Sequence, residues 1–157
     1  MKGRQQFSTF FVDHLFFGVE VGNVQEVLRY QEMTRVPLAP PVVRGLINLR
    51  GQIVTAIDLR CRLGLSEPPP GHQPLNVVIR VDGGTVSLLV DETGDVVEVD
   101  SGTFERPPET LSGEARELIS GVHKLQGRLM HVLDAAKVVS QETASEVNHG
   151  KAERCDR

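Results

Sequence analysis

The fold is decided by the stretch Gly45-Leu-Ile-Asn-Leu-Arg-Gly-Gln-Ile-Val-Thr-Ala-Ile-Asp58, because the chain contains its pattern a second time. The segment Gly121-Val-His-Lys-Leu-Gln-Gly-Arg-Leu-Met-His-Val-Leu-Asp134 aligns with it without a gap. Both glycines, the leucine before the turn and the closing aspartate coincide, and apolar residues recur at matching positions. Alternating apolar residues on either side of a central turn are typical of a β-hairpin. The sequence therefore predicts a duplicated domain with one such hairpin in each copy.

Each predicted hairpin forms the end of a longer series of predicted strands. A weaker match pairs Val12–Val27 with Val81–Val96 and extends the repeat toward the N-terminus of each copy. In the first copy the alternation predicts strands at Phe7–Val12, Leu15–Val21, Val24–Tyr30, Leu46–Leu49 and Gln52–Ile57. In the second copy it predicts strands at Asn76–Val81, Thr85–Val90, Val96–Val99, Val122–Leu125 and Arg128–Leu133. Two five-stranded units of about 60 residues are too short for sandwiches and suit small closed barrels, which leave no unpaired edge. We therefore expect an all-β fold of two small five-stranded SH3-like β-barrels.

Short helical stubs are expected after each hairpin, over Leu59–Leu65 and Ala135–Val139. Asp58 and Asp134 precede these stubs and are natural N-caps, which explains both aspartates without catalysis. A further helical turn is expected at Gly113–Leu118, in the connector of the second copy.

One folded domain is expected over residues 1–139. Its sub-barrels span about 7–65 and 75–139, either as contiguous units or with strands exchanged between them. A stiff proline-rich linker separates the two copies, and the polar tail over 140–157 is predicted to be disordered.

Composition and charge exclude several classes of partner. The formal net charge is −4, there is no tryptophan, and only one tyrosine is present. Nucleic-acid-binding surfaces use clustered basic residues, often with aromatic side chains, so no nucleic-acid partner is expected. No apolar run approaches the ~20 residues that span a bilayer, and no signal peptide is recognisable. We therefore expect a cytoplasmic protein without direct membrane insertion. Because Cys61 lies in an apolar-periodic stretch and Cys155 in the polar tail, no disulfide is expected between them.

No set of polar residues in the sequence has the pattern of a catalytic or metal-binding site. His123 and His131 lie on one predicted hairpin, but a two-residue turn would place them on opposite faces of the strands. Carboxylates cluster at Asp91, Glu92 and Asp95, with a spacing that fits no calcium-loop template and is common at turns. We therefore predict that the protein is not an enzyme and requires neither a metal nor a cofactor.

Comparison of the two copies of the repeat shows that one arginine has no arginine counterpart. Arg50 stands at the tip of the first of the two matched hairpins, and Gln126 occupies the same position in the second. Since a matching turn is built with glutamine, the fold does not require arginine there. A guanidinium held away from the core on a rigid hairpin can offer a planar, multidentate donor to a carboxylate or carbonyl of a partner.

Several segments together resemble the CheW family of bacterial chemotaxis coupling proteins. They are Val24-Gln25-Glu26-Val27, the Val36-Pro37 connector, the Gly45–Gly51 run and Ile57-Asp58-Leu59, and the resemblance extends over about residues 7 to 139. It implies two five-stranded barrels. It also implies an adaptor that binds the regulatory domain of a CheA-like histidine kinase and the cytoplasmic tips of methyl-accepting chemoreceptors, and that can assemble into rings or arrays.

The resemblance also suggests partner-binding residues. In the family the arginine of the Asn-Leu-Arg-Gly turn is important for coupling, which carries over to Arg50, with Asn48 and Gly51 in the same turn. Val24 and Glu26 carry over as residues of a partner surface. The resemblance further suggests that a groove between the barrels, lined by Val27, Val90 and Val96, receives the receptor tip.

We therefore expect a non-catalytic chemotaxis adaptor that couples chemoreceptors to the CheA kinase. The alternative is a CheW-like adaptor of a non-flagellar chemosensory pathway that controls surface motility or a second messenger.

Overall fold

The computed structural model of the chain describes residues 4–81, 84–107 and 113–139. The strands are β1 (Arg4–Val12), β2 (Leu15–Glu20), β3 (Val24–Leu28), β4 (Val43–Leu49), β5 (Gln52–Asp58), β6 (Leu75–Val81), β7 (Gly84–Val90), β8 (Glu92–Asp100), β9 (Phe104–Glu105), β10 (Ile119–Leu125) and β11 (Arg128–Leu133). The helices are α1 (Leu59–Arg62), α2 (Gly113–Leu118) and α3 (135–139). Single 3-10 turns lie at Val21–Asn23 and Ser101–Thr103.

The strands form two sheets, which confirms the all-β prediction. Barrel 1 is the five-stranded sheet with the order β3-β6-β7-β5-β4. Barrel 2 is the six-stranded sheet with the order β8-β1-β2-β11-β10-β9. Each sheet contains one parallel pair of strands, β5 with β7 in barrel 1 and β11 with β2 in barrel 2. The two pairs occupy the same place in the strand order of their sheets. The two sheets therefore repeat one topology, and the short strand β9 is an addition to the second.

Each barrel combines strands from both halves of the sequence. The hairpin β1–β2 pairs with β8 and β11 in barrel 2, and the equivalent hairpin β6–β7 pairs with β3 and β5 in barrel 1. The spans 7–65 and 75–139 are thus the bounds of the sequence repeat, whereas the sheets are strand-exchanged. Alternation cannot distinguish the two arrangements, because a hairpin buries the same face in either barrel.

One hydrophobic cluster joins the two barrels. It contains Phe10 and Phe17 from barrel 2 together with Ile57 and Leu88 from barrel 1, and all four are at most 1% exposed. Each barrel also has a smaller hydrophobic cluster of its own. In barrel 2 this cluster surrounds Met130, and in barrel 1 it consists of buried side chains from β4, β5 and β6. Because the largest cluster is shared, burial of its side chains stabilises both barrels at once.

The predicted helix caps are confirmed. The Asp58 carboxylate accepts a hydrogen bond from the Cys61 backbone N–H at 3.2 Å, and the Asp134 carboxylate accepts one from the Lys137 N–H at 3.1 Å. The helical turn predicted at Gly113–Leu118 is α2. The predicted tail lies outside the described residues.

The expectation for the cysteines is wrong, since Cys61 is disulfide-bonded. Cys155, the other cysteine of the sequence, lies outside the described residues. Sequence context alone does not determine whether Cys61 forms a disulfide in the folded chain.

Candidate partner-binding site

The candidate site begins at the β4–β5 turn. Leu49 pairs with Gln52, so Arg50 and Gly51 form a two-residue turn, with φ of 52° and 90° respectively. Both angles are positive, as in the type I′ turns that favour Asn and Gly. The Asn48 side-chain oxygen accepts a hydrogen bond from the Gly51 N–H at 2.9 Å. Asn48 therefore holds the turn that presents Arg50.

Arg50 forms a bidentate ion pair with Glu26 of β3. Its two terminal nitrogens donate to the two carboxylate oxygens at 2.9 and 2.6 Å. The Arg50 side chain is 71% exposed and that of Glu26 is 18% exposed. This pair brings together two residues predicted separately, and it orients the guanidinium at the barrel surface. An ion pair so exposed on one side contributes only about 0–1 kcal/mol to stability.

The other predicted partner-binding residues differ in how deeply their side chains are buried. Val24 is half-buried and packs against the shared core, while Val27 is 43% exposed on β3 and Val96 is 57% exposed on β8 of barrel 2. Val90 is only 1% exposed and belongs to the shared core. The expectation that Val90 lines a partner groove is therefore corrected, since a partner could reach it only if the core opened.

Ile53 is an apolar residue whose exposure the sequence did not indicate. It pairs across β4–β5 with Asn48 and is 59% exposed, and its repeat equivalent Leu129 is also exposed, at 38%. In the sequence both belong to the recurring apolar pattern that is typical of core positions. Exposure of both copies shows that this position faces outward in each barrel, beside the turn.

The second barrel lacks the ion pair. The equivalents of Arg50 and Glu26 are Gln126 and Asp95, and neither forms an ion pair with any residue that the structure describes. Within the same ranges Arg50 has a positive φ and Gln126 does not, so the two turns match in register but differ in backbone conformation. The arginine is thus a property of one barrel and not of the shared topology.

A cavity of about 230 Å³ near α1 is lined by two pairs of oppositely charged side chains. Arg44 pairs with Asp58 at 2.9 Å, and Arg60 pairs with Asp91 at 2.9 Å. The cavity is lined by Tyr30, Met33, Arg44, Asp58, Arg60, Pro68, His72, Pro74, Leu89 and Asp91. Although His72 lies 3.2 Å from Asp91, this lining has no serine, threonine or cysteine that the histidine could activate as a nucleophile.

The carboxylates of these two pairs form contacts that stabilise the fold. Burial alone would raise the pKa of Asp91, but the Arg60 hydrogen bond, the backbone N–H of Asp13 and the nearby charges of Arg60 and His72 outweigh it and lower that pKa. Asp58 is held by Arg44 and caps α1. In the described ranges no group of three or more histidine, cysteine or acidic residues is arranged to hold a metal ion.

The two hairpin histidines are separated, as predicted. His123 pairs with Met130 and His131 with Val122, which places their side chains on opposite faces. His131 contacts the Phe16 carbonyl at 3.1 Å, and His123 contacts the Thr103 hydroxyl at 2.7 Å between the rings of Phe7 and Phe104. His123 thus lies against Phe7 of the cluster around Met130, and His131 lies on the other face, against Phe17 of the cluster that joins the two barrels.

His123 makes the fold sensitive to acid. Burial lowers its pKa below the usual 6.5, and its Nε2 atom has no hydrogen-bond partner. The unfolded chain therefore binds a proton more readily, so stability present above about pH 6.5 is lost as pH falls toward the folded-state pKa. We expect the urea midpoint to be lower at pH 5.5 than at pH 7.5, and the difference to shrink in His123→Leu. His14→Gln, which changes an exposed histidine, should keep the wild-type difference, and an unchanged difference in His123→Leu would contradict the assignment.

Two strand-exchanged barrels that present an exposed ion pair at a hairpin tip have an arrangement suited to protein binding. The chain belongs to the CheW-like domain family, whose sequence model matches residues 6–143. It is 31% identical over 144 residues to the chemotaxis protein CheW of Bacillus subtilis, covering 92% of each chain. It is 28% identical over 145 residues to the chemotaxis protein CheW of Klebsiella aerogenes, covering 92% of this chain and 87% of that one.

The fold also matches a solved structure. The scaffolding protein TtCheW from Thermoanaerobacter tengcongensis superposes with a TM-score of 0.75 at 24% identity, over 83% of this chain and 88% of that one. In the described part of the chain, no helix combines the length and the hydropathy of a membrane-spanning segment.

Proposed function

We propose that this protein is a chemotaxis adaptor that couples methyl-accepting chemoreceptors to a CheA-like histidine kinase. The observation that carries the proposal is the family match over residues 6–143, together with the exposed Arg50–Glu26 pair of barrel 1, which has no counterpart at the equivalent positions of barrel 2. An adaptor needs surfaces that distinguish its partners, and the charge asymmetry between the barrels provides such a difference.

The partner surface on barrel 1 is built around the β4–β5 turn. Arg50 has five N–H donors, of which two bond Glu26, so three remain for a partner. Asn48 and Gly51 fix the turn, and Val24 and Val27 supply apolar area on β3. On barrel 2, Val96 offers a separate exposed apolar position. A guanidinium beside apolar area is a common composition for residues that dominate protein interfaces.

The protein acts by binding and carries out no chemistry of its own. It works in the cytoplasm, where kinase and receptor tips lie, and it is able to join them in rings or arrays. Disulfides are rare in that compartment, so the bond at Cys61 is not a requirement of this function.

Reconstitution tests the proposal. The purified chain, a CheA-like kinase from the same organism and a receptor cytoplasmic fragment are mixed, and kinase autophosphorylation is followed with and without the chain. We expect the receptor fragment to change the autophosphorylation rate only when the chain is present. A receptor effect of equal size without the chain, or no effect with it, would contradict the adaptor function.

A further inference from the structure

His123 occupies a position that the other barrel builds with an apolar side chain. Its equivalent in the sequence repeat is Ile47, which is 2% exposed and belongs to the smaller cluster of barrel 1, whereas His123 is 0% exposed. A buried imidazole has polar atoms that need hydrogen-bond partners, and a buried isoleucine has none. Since the shared topology is built with isoleucine in barrel 1, it does not require a histidine here.

The hydrogen bonds around His123 determine which ring nitrogen carries hydrogen. The Thr103 hydroxyl donates its single hydrogen to the Asp100 carbonyl at 3.0 Å, and its oxygen lies 2.7 Å from His123 Nδ1. The hydroxyl must therefore accept from Nδ1, so the neutral ring carries its hydrogen on that atom. Nε2 then holds a lone pair, and it is buried without a hydrogen-bond partner among the described residues. A further proton can be added only at Nε2.

The His123 ring is covered by residues 103–105, a segment that we call the lid. Its strand β9 lies at the end of the six-stranded sheet and pairs with β10 through Phe104 opposite His123 and Glu105 opposite Val122. The Phe104 ring lies 5.2 Å from the His123 ring, and Phe104 is still 45% exposed. A Cβ atom at Gly121 would clash with the Phe104 ring, so the lid packs directly on the β10 backbone. The lid is thus a small edge element in contact with the histidine.

The surroundings of the ring do not supply the missing acceptor. His123 contacts Phe7 of β1 and Phe104 of the lid and pairs with Met130 of β11, whereas His131 lies on the opposite face. The charged side chains near these contacts, on β1, β11, β10, the lid and the end of β8, are exposed to solvent: Arg4, Glu98, Asp100, Glu105, Lys124 and Arg128. Burial is accordingly the cause that lowers the pKa of His123. A proton on Nε2 would place a cation among apolar groups, at a cost that contact with water removes.

We propose that barrel 2 contains an acid-sensitive lid, in which protonation of His123 releases residues 103–105 from the edge of β10. Release lets water reach Nε2 while the pairing of β8, β1, β2, β11 and β10 is kept. Edge segments with few backbone pairs open at a lower free energy than a whole sheet. An open lid also frees the β10 edge, so barrel 2 presents a different surface in acid. This inference does not depend on the proposed adaptor function.

The direction of the pH effect follows from the two states of the lid. In the open lid the pKa of His123 returns toward its usual 6.5, whereas in the closed lid it is lower. Closure is therefore fully favoured above about pH 6.5 and weakens as the pH falls toward the closed-state pKa. Between pH 7.5 and pH 5.5 the open population should rise about five- to tenfold.

Hydrogen exchange in the full chain tests the lid. Amide protection over residues 103–105 and 121–123, corrected for the intrinsic effect of pH on exchange, should fall by about five- to tenfold from pH 7.5 to pH 5.5. Residues 45–47, the equivalent part of barrel 1, should keep their protection. NMR titration of the His123 ring in the wild-type chain should have the same midpoint as the loss of protection.

His123→Ile is the matched variant, because barrel 1 has isoleucine at this position. We expect it to fold and to show lid protection that does not change with pH. His14→Gln alters a histidine whose side chain is 76% exposed, and it should keep the wild-type change.

Three results would overturn the lid. Its protection could be the same at both pH values in the wild type, or it could fall equally in His123→Ile. Alternatively, the amides of β1 and β2 could lose protection together with it, which would show that acid loosens the whole barrel. If His123→Ile does not fold, the wild-type measurements decide. Coincident midpoints then support the lid, and midpoints more than about one pH unit apart contradict it.

Discussion

Arg50→Ala is expected to weaken binding to the kinase regulatory domain or the receptor fragment by about 30-fold or more, as arginines central to an interface commonly do. The melting temperature should change by less than about 2 °C, because the side chain is 71% exposed and such ion pairs add little stability. Calorimetric titration with each partner and thermal unfolding of the same preparation check the two expectations together.

The repeat supplies the matched control for this variant. Gln126→Ala changes the equivalent tip of barrel 2 and should leave both binding and melting temperature near wild type. Arg50→Lys keeps the charge but cannot hold the bidentate geometry with Glu26, so an intermediate loss is expected. If Arg50→Ala unfolds the protein, the arginine is structural and the asymmetry between the barrels has another origin.

Asp91→Ala should produce the largest loss of stability, about 2–4 kcal/mol, since it leaves the charge of a buried ion pair without its main partner. The Asp91 carboxylate accepts bonds from Arg60 at 3.3 and 2.9 Å and from the Asp13 N–H at 2.6 Å. The Arg60 side chain is only 10% exposed. Urea unfolding at pH 7 measures the loss directly.

Glu98→Ala is the control for Asp91→Ala. Glu98 pairs with Arg4 at 3.4 Å, and both side chains are at least half exposed, so less than about 1 kcal/mol should be lost. The lowered pKa of Asp91 adds a second check, because its contribution should be present above the unfolded pKa near 3.8 and disappear as pH falls further. Equal losses in the two variants at pH 7 would show that the Asp91 network is no stronger than a surface pair.

The sequence predicted those features that depend on neighbouring residues. The Arg50–Gly51 turn, the Asp58 cap and the helical turn α2 each follow from local preferences, and each is present. The repeat added the pairing register of the second hairpin, and so the separation of His123 from His131.

Contacts between segments that are distant in the sequence could not be predicted from local preferences. The Arg50–Glu26 pair depends on barrel closure, which brings the β4–β5 turn to β3, and no alternation pattern encodes such an approach. Val90 was misassigned because β7 is buried on both faces toward its end, so that no polar alternation marks which side chain points outward. The exchange of hairpins was undecidable because a hairpin buries the same face in either barrel.

The strand exchange also sets the order in which the chain can acquire structure during synthesis. Barrel 1 lacks its central strands until Val90 has left the ribosome, although β3, β4 and β5 are made much earlier. The hairpin β1–β2 is made first, yet its parallel partner β11 ends at Leu133, close to the end of the described residues. The N-terminal hairpin can therefore pair with β8 before its second partner has been made, and neither half of the sequence contains all the strands of one barrel.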